Sequence, residues 1–145
     1  MDVKLRAAAP SDREFVESTY FTTQRWIIEK LFGWRGDDFE RAKFVECYNQ
    51  RNSNIIVLNQ EDVGWLAVER SPSGIELGHI YIVPTKQRRG IGTELIRGLI
   101  DEATQIAMPL RLSTAKINPA VHLYERLGFR VTREDEYKCY MEFSL

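Results

Sequence analysis

The stretch QRRGIGTELIRGLI, residues 87–100, joins two arginines and two closely spaced glycines to the start of an apolar repeat. The repeat continues to residue 106 with apolar side chains on one stripe, which predicts an amphipathic helix packed on a sheet. Its members are Ile91, Leu95, Ile96, Leu99, Ile100, Ala103 and Ile106. The preceding segment, IELGHIYIV (75–83), has the pattern of a strand. The glycines therefore lie where a strand turns into a long helix.

The position of the two glycines gives them a chemical meaning. The first turn of a helix has backbone N–H groups without intrahelical partners and the positive end of the helix dipole. Glycines there let an anion approach the amides, and Arg88 and Arg89 add cationic donors. A glycine pair that only permits a tight turn is the open alternative. ATP-binding and dinucleotide-binding loops do not fit, because Thr93 and Glu94 follow Gly92 and no third glycine stands at the required spacing.

Helical and strand periodicities take turns along the rest of the chain, which predicts an α/β (α+β) domain. The predicted strands are VKLRAA (3–8), NIIVLN (54–59), VGWLAVE (63–69), IELGHIYIV (75–83), LRLSTA (110–115), FRVTRE (129–134) and YKCYMEFSL (137–145). Further helices are predicted before Gly33, over 38–50 and over 118–128. The three strands between 54 and 83 are separated by turn sequences, so we expect an antiparallel meander there.

Length and composition favour one domain over residues 1–145. The 145 residues are 43% hydrophobic, enough for a core, and show neither a signal-peptide-like start nor an apolar run of membrane length. We therefore expect a cytoplasmic protein with no membrane partner. The net charge of −1 gives no electrostatic reason to expect a nucleic acid partner. Cys47 and Cys139 have no ligand-like spacing with His79 and His122, so no metal site is predicted.

Two segments resemble one family of enzymes. The run IYIVPTKQRRGIGTELI (80–96) resembles the acetyl-CoA-binding motif Q/R-x-x-G-x-G/A of the GNAT superfamily of N-acetyltransferases, and NPAVHLYERLGF (118–129) is similar to the family's later motif. The order of elements also follows the family over nearly the whole chain. The resemblance implies a mixed, mostly antiparallel sheet flanked by helices, whose fourth and fifth strands splay apart to admit the pantetheine arm of the coenzyme.

The resemblance also implies how acetyl-CoA, the expected co-substrate, is bound. Its pyrophosphate would meet the backbone amides around the loop residues Arg88, Arg89, Gly90, Ile91, Gly92 and Thr93. The backbones of Ile82 and Val83 would hydrogen-bond the pantetheine and the thioester. Asn118 would contact the pantetheine from the other side, although Asn before Pro119 is equally suited to capping a helix.

Two residues are implied as catalytic. Tyr124 would protonate the departing thiolate, the alternative being a tyrosine that only packs the helix. Glu76 would take the proton of the attacking amine, which is mostly ammonium at neutral pH. His79 and ordered water are the other candidates for this base, His79 because an unperturbed imidazole pKa of about 6.5 suits the task better.

The acceptor amine is left open by the sequence: a small amine, an amino acid or a protein amine all fit the family. The resemblance implies that residues 20–40 build much of the acceptor site, and its candidate residues are Phe21, Trp26, Phe32, Trp34, Asp37, Asp38 and Glu40. Core aromatics and a solvated helix start are the plainer interpretation of these residues. A non-catalytic acyl-CoA-binding module, a partner-binding domain and a homodimer are further alternatives.

Overall fold

The computed structural model describes residues 1–144, which form four α-helices and seven strands. The helices are α1 (Arg13–Phe32), α2 (Asp37–Cys47), α3 (Ile91–Gln105) and α4 (Ala120–Arg126). The strands are β1 (Val3–Ala7), β2 (Ser53–Leu58), β3 (Glu61–Ser71), β4 (Gly74–Ile82), β5 (Leu110–Ala115), β6 (Arg130–Glu134) and β7 (Lys138–Phe143). Leu145, the last residue of the predicted C-terminal strand, lies outside the described residues.

The strands form a mixed sheet in the order β1-β2-β3-β4-β5-β7-β6. The pairs β1–β2, β2–β3, β5–β7 and β6–β7 are antiparallel, whereas β4 and β5 run parallel. This confirms the predicted fold class. The parallel register joins only Ile75–Leu77 to Leu110–Leu112, although both strands continue further. Parallel pairing between β4 and β5 thus ends before either strand does.

The chain divides into two compact units. The first contains Met1–Ala67 and Ile80–Gln87, and the second contains Val68–His79 and the chain from Arg88 onward. The expectation of one domain over residues 1–145 stays a prediction. Among the residues that the structure describes, no helix is long and apolar enough to span a bilayer.

Aromatic side chains dominate the core of the first unit. Trp65 and Phe44 are fully buried, and the indole N–H of Trp65 donates to the Ser53 hydroxyl at 2.9 Å. Beside them, Gly64 of β3 lies against the backbone carbonyl of Tyr81 on β4, where a Cβ would collide with that oxygen. Glycine is therefore the residue that allows this close backbone approach.

Packing in the second unit follows the predicted helical stripe. The α3 residues that are buried are Ile91, Ile96, Leu99 and Ala103. Ile106, predicted as the end of the stripe, is 54% exposed because the helix ends at Gln105. On the sheet, one side of β4, β5 and β7 is apolar and buried, and we call it the inner face: Ile75, Leu77, Leu110, Leu112, Met141 and Cys139.

Candidate functional site

The N-terminus of α3 has the geometry of an anion-binding site. Gly90, the N-cap residue, is left-handed at φ 82° and ψ 7°, and the helical residue Ile91 follows it. A left-handed residue before a right-handed one turns consecutive N–H groups into the same concavity. The first intrahelical bond is donated by Glu94 N–H to the Gly90 carbonyl at 3.0 Å, and no described side chain caps the N–H groups before it. These amides are therefore available to a ligand.

The two glycines of the loop are needed for different reasons. Gly90 supplies a positive φ that residues with a side chain rarely adopt. Gly92 has ordinary helical geometry, and a Cβ built on it meets no described atom within 4 Å. The packing of the protein itself therefore does not require glycine at position 92. The open space beside the Gly92 amide fits a phosphate group that must approach the backbone closely.

The two loop arginines are exposed, as a role at the rim of this site requires. Arg88 also has φ 63°, a left-handed conformation that is uncommon outside glycine, Asn and Asp. Such conformations cost of order 1–3 kcal/mol and cluster at binding sites. The strained Arg88 thus stands two residues before the Gly90 turn, and both help to direct the chain into α3.

The end of β4 in the first unit already uses most of its backbone groups. Val83 donates its N–H to the Val63 carbonyl at 2.8 Å and accepts from the Lys86 N–H at 2.9 Å. The Ile82 carbonyl accepts from the side-chain amide of Gln87 at 2.9 Å. The predicted backbone contacts of Ile82 and Val83 with the coenzyme stay predictions, and a carbonyl that made them would use its second lone pair.

Tyr124 and Glu76 belong to opposite sides of the sheet. The Tyr124 ring contacts Phe129 with ring centroids 5.9 Å apart, and Phe129 contacts Phe143 at 5.8 Å. Phe143 is in register with Leu110, so α4 covers the inner face. Glu76 alternates with the inner-face residues and therefore points to the other side, which we call the outer face.

The outer face gives Glu76 a second, structural interpretation. The register aligns Glu76 of β4 with Arg111 of β5, Arg111 with Glu142 of β7, and Glu142 with Arg130 of β6. Charges thus alternate across four neighbouring strands, and Arg111 Nε lies 3.8 Å from the Glu142 carboxylate. Cross-strand pairs of opposite charge stabilise a sheet by about 0.2–1 kcal/mol each. Glu76 is exposed at one end of this row.

Tyr124 is the more enclosed of the two predicted catalytic residues. Its side chain is 7% exposed, and burial raises the pKa of its phenol to about 12. The neutral form is favoured because the phenolate would lose most of its solvation. Tyr124 therefore remains a protonated hydrogen-bond donor throughout the physiological pH range.

His79 lies on the same side of the sheet as Tyr124, because it alternates in phase with Leu77. Burial, assisted by the charge of Lys138, lowers the pKa of His79 to about 4. The imidazole is therefore neutral at physiological pH. His79 therefore loses its expected advantage as a base. A pKa near 4 lies about six units below that of a primary amine, which is the same difference as for an ordinary carboxylate.

The lowered pKa of His79 predicts a specific loss of stability in acid. An unfolded His binds a proton near pH 6.5, whereas the folded state resists protonation until about pH 4, so stability is lost as pH falls between these values. The loss attributable to this group approaches about 3 kcal/mol. Urea unfolding at pH 7 and pH 4 should show a smaller decrease for His79→Asn than for the parent. His122→Asn, at an exposed histidine, should keep the parental decrease; equal decreases in all three proteins would contradict the assignment.

Asn118 is committed to two bonds within the chain. Its Oδ1 accepts from the Ala120 N–H at 3.0 Å, so it caps the start of α4 as one of the two predicted roles requires. Its Nδ2 donates to Thr114 Oγ1 at 3.0 Å. No sequence pattern indicates Thr114, because a single threonine in a short strand has no local signature. Only the fold brings it to Asn118.

Three of the seven acceptor-site candidates line one cavity of the first unit. The cavity has a volume of about 200 Å³ and is lined by Glu17, Phe21, Arg25, Trp34, Asp37 and Arg41. Trp34 is held there by its indole N–H, which donates to Asp37 at 2.8 Å, and by the Arg25 guanidinium 3.8 Å from its ring centroid. Arg41 pairs with Glu17 at 2.9 Å. The wall thus combines aromatic rings with charges of both signs.

The other four candidates have different environments. Trp26 and Phe32 are 45% and 47% exposed, and Asp38 is exposed as well. Glu40 is not a solvated helix-start residue: it is 2% exposed and bonds the guanidinium and the backbone N–H of Arg35. Arg35 lowers the pKa of this carboxyl. Glu40 therefore anchors the α1–α2 connection, and its charge is already paired.

Comparison with known proteins identifies one family for this sequence and this fold. Residues 51–131 match the family model described as an acetyltransferase (GNAT) domain. The fold is similar to that of PaiA N-acetyltransferase from Thermoplasma acidophilum in complex with coenzyme A, at TM-score 0.79 and 15% identity over 100% of both chains. No curated protein sequence matches this chain.

Two further solved structures share the fold. One is the ribosomal-protein-S18-alanine N-acetyltransferase from Escherichia coli, with TM-score 0.67, 21% identity and coverage of 99% of this chain and 96% of that one. The other is Arabidopsis thaliana Naa50 in complex with the bisubstrate analogue CoA-Ac-MVNAL, with TM-score 0.63, 18% identity and coverage of 98% and 97%.

Proposed function

Because this chain belongs to the GNAT acetyltransferase family, we propose that it transfers the acetyl group of acetyl-CoA to a primary amine by direct attack in a ternary complex. The amine nitrogen bonds to the acetyl carbonyl carbon, the carbon–sulfur bond breaks with its electron pair on sulfur, and the amine loses a proton. The binding of acetyl-CoA is supported by one observation: the start of α3 is uncapped and has open space at Gly92.

The loop residues would bind the coenzyme mainly through backbone amides. The N–H groups from Gly90 to Thr93 precede the first intrahelical bond, so they can donate to phosphate oxygens without disrupting α3. Arg88 and Arg89 are exposed and add charge at the rim. The coenzyme, when bound, supplies the activated acetyl group and a thiolate leaving group.

Tyr124 would stabilise the thiolate by hydrogen bonding while keeping its own proton. With its pKa raised to about 12, full transfer to a thiolate of pKa about 8.5 is unfavourable by about 5 kcal/mol. A donor held in a desolvated site still stabilises developing charge strongly, because low polarity strengthens the bond. Protonation of the thiolate by Tyr124, as expected from the sequence, stays a prediction, and we propose hydrogen bonding as the role that the raised pKa favours.

Glu76 is proposed as the group that receives the amine proton. Its exposure supports access of the acceptor to this carboxylate from the outer face, while Tyr124 would serve the leaving group from the inner face. We expect Glu76→Gln to alter or remove the acidic limb of the pH–rate profile and to leave acetyl-CoA affinity nearly unchanged. An unaltered profile would assign the proton to His79 or to water, and Glu76 to the charged row alone.

The acceptor is best identified by release of CoA thiol from acetyl-CoA with a panel of amines. The panel should contain small amines, free amino acids and peptides with either a free N-terminus or a single Lys. Turnover with one class supports the proposed function and names the acceptor. Coenzyme binding without thiol release from any class would favour a non-catalytic acyl-CoA-binding module instead.

A further inference from the structure

The two bonds of Asn118 determine the orientation of its amide. A backbone N–H can only donate, so the atom facing Ala120 N must be the carbonyl oxygen, and the amide nitrogen then faces Thr114. Asn118 is therefore the donor in its bond with the Thr114 hydroxyl. One amide hydrogen remains, but the plane of the side chain is set by the other two partners.

The Thr114 hydroxyl is in turn left with a proton to donate. Its oxygen accepts from Asn118, and the bonds of the described residues give its O–H no acceptor within the chain. Thr114 is half-buried on β5, two residues beyond Leu112, where the parallel pairing with β4 ends. It is in register with Cys139, so it faces the same side as α4. Accepting a bond also polarises the hydroxyl and makes it a better donor.

We infer that Thr114 is a coenzyme-binding residue whose hydroxyl donates to an amide carbonyl of the pantetheine arm, and that Asn118 is a positioning residue that acts through Thr114. The inference rests on the proposed function, since it concerns the same coenzyme. It changes the expected role of Asn118, whose amide oxygen caps α4 and whose nitrogen orients the hydroxyl.

Three substitutions separate these roles. Thr114→Val keeps the shape and removes the hydroxyl, and Thr114→Ser restores the donor. Asn118→Asp keeps an oxygen to cap Ala120 but replaces the amide donor with an acceptor that draws the Thr114 proton toward itself. We expect Thr114→Val and Asn118→Asp each to weaken CoA binding about tenfold, the effect of one hydrogen bond, and Thr114→Ser to stay near the parent. The double variant should bind no more weakly than either single variant.

Calorimetric titration with two probes provides the control. CoA contains the pantetheine arm, whereas adenosine 3′,5′-bisphosphate carries the adenosine, the 3′-phosphate and one of the two 5′-phosphates without that arm. Thr114→Val and Asn118→Asp should bind CoA less tightly and bind the bisphosphate as the parent does. Equal losses of affinity for both probes would indicate damage to the fold or the loop and overturn the inference. Ser113→Ala, the neighbouring hydroxyl on the outer face, should change neither affinity.

The remaining outcomes are also decisive. Parental CoA affinity in Thr114→Val would overturn the inference and leave the proposed function intact. A further loss when Asn118→Asp is added to Thr114→Val would mean that Asn118 contacts the coenzyme directly, which also overturns it. Failure of the parent protein to bind CoA would overturn the proposed function itself, together with this inference.

Discussion

Replacing Gly92 with valine should weaken acetyl-CoA binding by about a hundredfold or more while the melting temperature stays at or above that of the parent. The new side chain would fill the open space beside the Gly92 amide and keep phosphate oxygens away from the first turn of α3. Loss of two charge-assisted hydrogen bonds at about 1.5 kcal/mol each corresponds to that factor. Folding should not suffer, because valine is no worse than glycine in a helix.

The same helix offers a matched control for this variant. Gly98 also lies within α3, and a Cβ built on it likewise meets no described atom within 4 Å. Gly98→Val should therefore raise helix stability in the same way and leave coenzyme affinity unchanged. Titration calorimetry and thermal unfolding of both variants test the difference. Parental affinity in Gly92→Val would mean that the glycine serves only the turn.

Changing Tyr124 to phenylalanine should lower single-turnover acetyl transfer by about a hundredfold, with coenzyme affinity and melting temperature nearly unchanged. The substitution preserves the ring contact with Phe129 and removes only the hydroxyl. Removal of one preorganised donor to developing charge typically costs 10²–10³ in rate. We expect the lower end, because a thiolate of pKa about 8.5 already leaves tolerably at neutral pH.

A second tyrosine of the same unit controls for ring chemistry. Tyr140 lies on the outer face and donates its hydroxyl to Asp135 at 2.9 Å, so Tyr140→Phe should leave the transfer rate unchanged. Because burial raises the pKa of Tyr124 to about 12, the parent should also lose no activity through this phenol up to about pH 10. If the rates of Tyr124→Phe and the parent agree within about twofold, Tyr124 serves packing alone, because loss of a preorganised donor lowers the rate far more than that.

The local features of the site could be predicted from sequence because they depend on neighbouring residues. Apolar spacing from Ile91 onward is a property of consecutive residues, and it placed the helix correctly to within a turn. The Gly90 turn and the Asn118 cap are likewise set by residues a few positions apart. The family resemblance then added the mixed, mostly antiparallel character of the sheet, which short-range patterns do not contain, whereas the order of its strands came only from the structure.

The charge states of the site depend on burial, and burial depends on contacts between residues far apart in the chain. His79 in sequence is an ordinary histidine, but packing of its strand lowers its pKa to about 4 and removes the reason for choosing it as a base. Glu40 has the sequence of a solvated helix start, yet it is buried and paired with Arg35. Composition and spacing do not report the surroundings that cause these differences.

The sequence by itself determined the glycine turn, the amphipathic helix after it and the two motifs that indicate the family, because backbone preference and periodicity act over a few residues. Tertiary structure alone decided which partner each polar group meets. It set Glu76 and Tyr124 on opposite sides of the sheet and left space beside Gly92. It also joined Asn118 to Thr114, because strand register and helix packing determine which side chains come within hydrogen-bonding distance.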